Sequence, residues 1–157
     1  MNTRMRQQRT GLTAMAGLLA VGLVITACGG DDDDAGGDTI DVVLSEWSVE
    51  APATAKAGMV TINASNEGGE THELVVVRAD STAGFVQDDT GKVDEDGFAE
   101  GDFVGEITEF EAGTSSSGTF DLTPGTYILF CNIVEEDADG TPESHFMEGM
   151  QTTLVVE

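Results

Sequence analysis

What most constrains this chain is a missing pattern: beyond residue 38 no apolar stretch keeps a helical period over about 11 residues. Apolar residues come instead in short runs broken by glycine and polar turns. Val60, Ile62 and Ala64 alternate with Thr61, Asn63 and Ser65, the two-residue period of a strand buried on one face. Such runs predict strands at 39–44, 59–65, 72–78, 115–120, 126–132 and 152–157. Strands without helices between them predict an all-β sandwich over residues 39–157. A domain of 119 residues buries roughly two thirds of its unfolded surface, so it needs no disulfide staple.

Two segments fall outside this pattern. Residues 79–113 are acidic and glycine-spaced, which predicts a long irregular connection with one helical turn near 83–87. Leu122-Thr123-Pro124-Gly125-Thr126-Tyr127 reads as a turn feeding a strand. It resembles the tyrosine corner of Greek-key sandwiches, in which the phenol bonds upstream backbone. A plain Pro-Gly turn followed by an aromatic core residue accounts for it equally well.

The N-terminus reads as an export signal. Arg4, Arg6 and Arg9 precede an apolar run from Gly11 to Ala27, which stops at Cys28 and is followed by Gly29-Gly30 and Asp31 to Asp34. That run is shorter than the about 20 residues of a spanning helix. It resembles a bacterial lipobox: residues 1–27 as the signal peptide, Cys28 as the lipidated first residue, and 28–38 as a flexible Gly/Asp tether. The alternative is an uncleaved membrane anchor. Either way the folded part sits outside the cytoplasm, at the outer face of the cytoplasmic membrane or the cell surface.

Beyond Cys28 the chain keeps all 30 acidic residues and only Lys56, Arg78 and Lys92 as basic ones, a net charge of −27. Nucleic acid and anionic bilayers repel such a domain, so contact with the membrane is expected through the lipid only. A basic protein suits it as a partner, because opposite charge steers encounter. Solubility or a salty habitat explains the charge as well.

The residues with metal chemistry are few. The chain has two histidines, His72 and His145, and two cysteines. With Cys28 committed to lipid, Cys131 has no partner for an internal disulfide in a compartment that would permit one. Of the methionines beyond Cys28, Met147 and Met150 lie close after His145. All of these fall at strand ends or in the last loop. Two imidazoles, one thiolate and a weak thioether match the ligand chemistry of a blue-copper electron-transfer centre. Separately, any one of these residues is an ordinary core residue; free cysteine and methionine are both commonly buried.

The residues that carry a wider resemblance are the Asn66-x-Gly68 turn before His72, Leu122-x-Pro124-Gly125-x-Tyr127 before Cys131, and His145-x4-Met150. On these the chain resembles the cupredoxin family of plastocyanin-like and azurin-like proteins, over most of 39–157, and the resemblance implies an all-β, Greek-key β-sandwich. The resemblance implies one copper ion bound by His72, Cys131, His145 and, as the long axial ligand, Met150. It implies an electron carrier rather than an enzyme, with electrons leaving through the exposed edge of His145. A copper chaperone or buffer without electron traffic is the alternative.

One departure stands out. Plastocyanin-like members place the second histidine very soon after the cysteine, whereas here 13 residues intervene. This enlarged loop, 132–144, brings Glu135, Glu136 and Glu143 within range as rival ligands, and Met147 is a rival for the axial place. The acidic stretches at 94–97 and 137–140 lack the ligand spacing of calcium loops. Two histidines are too few for a multicopper oxidase or a nitrite-reducing centre.

Overall fold

The computed structural model describes residues 38–157. The lipobox, Cys28 and most of the Gly/Asp tether lie outside the described residues.

Alternation of the side chains builds the first sheet. In β1 (Thr39–Ser45) Ile40, Val42 and Leu44 point inward, and in β4 (Gly58–Asn66) Val60, Ile62, Ala64 and Asn66 do so. β1 and β4 pair in parallel. β2 (Ser48–Glu50) and β7 (Ser115–Leu122) flank them antiparallel, giving the order β2-β1-β4-β7. The second sheet has the order β3-β11-β8-β5-β6: β3 (Thr54–Ala55), β11 (Gln151–Val156), β8 (Gly125–Phe130), β5 (His72–Arg78) and β6 (Phe103–Phe110). Leu44, Val60 and Ile62 of one sheet and Leu74, Val76, Leu129 and Leu154 of the other form one buried core. Each such side chain contributes roughly 1.5–3 kcal/mol relative to exposure.

β5 explains why its sequence does not alternate. Leu74-Val75-Val76-Val77 is buried throughout, because both faces of this central strand are covered. Leu74 and Val76 face the main core. Val75 and Val77 meet Ile128, Phe130, Val93 and Phe146 in a second cluster, with Phe85 and Phe98 against it. Residues 79–102 therefore roof the outer face of the sheet.

That connection differs from the expected irregular loop in two ways. Its last part is strand β6, and the helical turn lies at Glu95–Gly97 rather than at 83–87, where the chain makes only a turn. β6 takes an extra residue against β5 at two places, between the pairs His72↔Phe110 and Leu74↔Ile107, and between Val76↔Gly105 and Val77↔Phe103. Such bulges are frequent on edge strands, and they break the two-residue period.

The Pro-Gly turn proves to be a tyrosine corner. The phenol of Tyr127, 2% exposed, donates to the Thr123 carbonyl at 2.8 Å. Along β8 the alternation then runs Tyr127 in, Ile128 out, Leu129 in, Phe130 out, so Cys131 turns inward.

Candidate metal centre

Each candidate ligand sits where local chemistry fixes the chain. Before His72, the buried Asn66 staples the loop: its Nδ2 donates to the carbonyls of Glu70 (2.7 Å) and Phe110 (3.2 Å), and its Oδ1 accepts from the Gly68 N–H at 3.0 Å. His145 opens the short helix α1 (His145–Glu148). Ser144 caps it by accepting from the Met147 N–H, and Gly149, at φ +110°, ends it in the left-handed region. This reversal brings Met150 back: its N–H donates to the His145 carbonyl and its carbonyl accepts from the Cys131 N–H, both at 3.0 Å.

The three strongest donors converge. Nδ1 of His72 lies 3.2 Å from Nδ1 of His145. The Cys131 Sγ is 3.4 Å from the His145 Nδ1 and 4.0 Å from the His72 Nδ1. A single point lies about 2.1 Å from all three atoms, as their separations require. Zinc, as a yardstick, binds imidazole nitrogen at about 2.0–2.1 Å and thiolate at about 2.3 Å. All three residues are fully buried, and together they could hold one metal ion. Met150 is also fully buried, whereas Met147 is 61% exposed.

Burial sets the protonation of these groups. It pushes the Cys131 thiol up to about 12, with the charges of Glu73 and Glu135 adding and the Glu73 and Ile133 backbone donors opposing. Burial, then the neighbouring His72, pushes His145 down to about 4. His72 is lowered too, because burial outweighs the pull of Glu46. At neutral pH the metal-free site thus holds two neutral rings and a neutral thiol. Three uncharged donors facing one point suit a cation, and a metal must displace the thiol proton to bind.

Carboxylates stand behind the rings. Oε1 of Glu46 is 3.3 Å from Nε2 of His72, and Oε2 of Glu70 is 3.5 Å from Nε2 of His145. Burial raises the Glu46 carboxyl, but backbone donors, its own and those of Glu70 and Gly69, outweigh it and hold the group below its ordinary value. Glu70 is raised, first by burial and then by crowding from Glu135, Glu46 and Glu143. No spacing or motif marks Glu46, which lies in the turn between β1 and β2. Glu70 belongs to the loop before His72, but nothing in its spacing marks it.

The enlarged loop is a hairpin, β9 (Val134–Glu136) paired with β10 (Pro142–Ser144). Asp137 and Asp139 accept bonds from the amides of its turn, so these acids shape a turn. Glu135 joins Glu70 and His145 in a group whose ligand atoms lie within 4.8 Å of one another. Among the described residues no carboxylate joins the group of His72, Cys131 and His145.

One expectation is overturned. His145 has no exposed edge: it is fully buried, Trp47 packs edge-on against it at 5.1 Å, and Glu70 stands beyond its outer nitrogen. The turn at Glu46-Trp47 and the loop before His72 cover the ring, which explains why a rule for an exposed histidine edge fails here.

Glu73 carries a testable electrostatic cost. It is 9% exposed and lines an acidic cleft with Lys92, Glu95 and Glu106. Burial, then Glu95 and Glu106, raises its carboxyl from 4.5 to about 7. A carboxyl raised in the folded state gives stability that is full below pH 4.5 and lost as pH rises through 7. Glu73→Gln should therefore stabilise the metal-free protein at pH 8 by on the order of 1–2 kcal/mol, and hardly at pH 4.5. Urea unfolding at the two pH values checks this; equal effects at both would contradict it.

No family model matches the chain, and no curated protein matches it. Among solved structures it is similar to auracyanin B, with a TM-score of 0.53 and 23% identity over 76% of this chain and 88% of that one. It is similar to dithionite-reduced auracyanin from the photosynthetic bacterium Roseiflexus castenholzii, with a TM-score of 0.50 and 19% identity over 76% and 96%. It is also similar to a rusticyanin variant, with a TM-score of 0.50 and 18% identity over 78% and 80%. The shared architecture is the cupredoxin β-sandwich.

Proposed function

We propose that this cupredoxin-fold chain is a mononuclear copper protein that carries single electrons, with His72, Cys131 and His145 as its strong ligands and Met150 as the weak axial one. The observation that carries the reading is the convergence of two Nδ1 atoms and one Sγ on a common point inside a fully buried pocket. Thiolate and thioether favour Cu(I) and imidazole suits Cu(II), so the set accepts both states. Copper, when bound, supplies a one-electron couple. The protein supplies rigidity: the ligands are tied to one another through the backbone bonds of Met150 and set in a close-packed core, so they shift little between states.

The chain acts as a carrier rather than an enzyme in this reading. It works outside the cytoplasm, tethered by lipid at Cys28, with a basic-faced or membrane-bound redox protein as partner; the export signal and the net charge support these points. A copper chaperone or buffer is disfavoured because its donors should be accessible for transfer, and here all three are buried. Reversible one-electron reduction of the copper-loaded protein at an electrode, with copper retained through many cycles, is expected. Transfer of the copper to a metal-free acceptor faster than electron exchange would favour the chaperone instead.

A further inference from the structure

We infer that Glu46 and Glu70 are the positioning residues of this centre, each accepting the outer N–H of one ligand imidazole so that both rings turn a bare Nδ1 inward. The inference deepens the copper reading and rests on it for one of its two readouts.

A neutral imidazole has one N–H, and its tautomer follows the acceptor offered to it. At Nδ1 the proton of one ring could donate to the Nδ1 of the other at 3.2 Å, but it would leave the donor ring's bare Nε2 lone pair against a carboxylate oxygen. At Nε2 it faces a carboxylate oxygen, at 3.3 Å for His72 and 3.5 Å for His145. Both Nε2 atoms and the Oε2 of Glu70 are buried and, among the described residues, none has a partner within hydrogen-bond geometry, so the facing carboxylates are the acceptors on offer to the two rings. A buried N–H without an acceptor costs about 1–3 kcal/mol, so these carboxylates decide where the proton sits.

Glu46 is itself held. Its Oε1 accepts the N–H of Gly69 at 2.9 Å and of Glu70 at 3.0 Å. A Cβ at position 68 would collide with this carboxylate, so the loop before His72 needs glycine there to let Glu46 in. Thus the segment that delivers one ligand also fastens the group behind it. Glu70, in the same segment, reaches across to the other ligand. Carboxylates placed behind ligand histidines raise ring basicity and fix ring orientation. Two negative charges so close to the ion also favour Cu(II) over Cu(I).

Two readouts test this. In the metal-free wild-type protein, nitrogen-15 NMR of the imidazoles should show both rings as Nε2–H tautomers. An Nδ1–H tautomer in either ring would overturn the inference, and this result needs neither a variant nor copper. In the copper-loaded protein, Glu46→Gln and Glu70→Gln keep the shape and remove the charge. Each should raise the reduction potential by at least the equivalent of a tenfold shift toward Cu(I), about 59 mV for one electron. The exposed Asp121→Asn removes one charge elsewhere and should shift it far less. Glutamine variants that keep the wild-type potential, or an equal shift in Asp121→Asn, would overturn the inference. So would a second equivalent of metal lost on Glu70→Gln, since Nε2 would then be a ligand. A wild-type protein that develops no thiolate-to-copper band sinks the copper reading, while the tautomer result still decides the role of the carboxylates.

Discussion

Cys131→Ser should abolish the intense visible absorption of the copper-loaded protein and weaken Cu(II) binding by more than about 100-fold, the upper end of what losing a mere supporting residue costs. The band arises from charge transfer between a thiolate and Cu(II), and Cys131 is the sole thiol among the described residues. A serine hydroxyl is a hard, weakly acidic donor with little preference for copper. The substitution nearly preserves volume in a site 0% exposed, so the sandwich should persist at a cost of about 1–3 kcal/mol for the buried hydroxyl. Absorption and competition titration check the first two effects, and near-ultraviolet circular dichroism checks the fold. A variant that stays folded and keeps the band would remove Cys131 from the metal.

The second large effect concerns the outer face of the ligand-bearing sheet. Phe130→Ala should destabilise the protein by about 3–5 kcal/mol, as for large-to-small changes in a packed core. Phe130 is fully buried. Its ring packs edge-on to Phe146 at 5.3 Å and tilted against Phe85 at 5.8 Å, and Phe85 meets Phe98 at 4.8 Å. This cluster joins the 79–102 roof and the helix carrying His145 to the strand that ends next to Cys131. Val86→Ala, at a residue 62% exposed, should change stability by less than about 0.5 kcal/mol. Urea unfolding of both variants makes the comparison. A loss below 1 kcal/mol in Phe130→Ala would mean that the roof does not seal the sheet.

The strands that alternate or run continuously apolar were legible in the sequence, β4 and β5 above all. β6 was not, because its two extra residues against β5 scramble the inside-outside order that reveals a strand. His72, Cys131 and His145 could be picked out because imidazoles and thiols are scarce here and stand at strand ends. Glutamates are plentiful, so composition and spacing could not single out Glu46, Glu70 or Glu135; only folding selects them. The same holds for Trp47, whose contact with His145 joins turns almost 100 residues apart. The exposed port expected at His145 failed for a related reason. What covers a residue is set by distant segments, here the β1–β2 turn and the loop before β5.

The most direct test of the copper site is X-ray absorption at the copper edge of the loaded wild-type protein. A first shell of two imidazole nitrogens at about 2.0–2.1 Å and one sulfur at about 2.3 Å is expected, by analogy with other N/S sites. A first shell of nitrogen and oxygen alone, with no short sulfur, would contradict it.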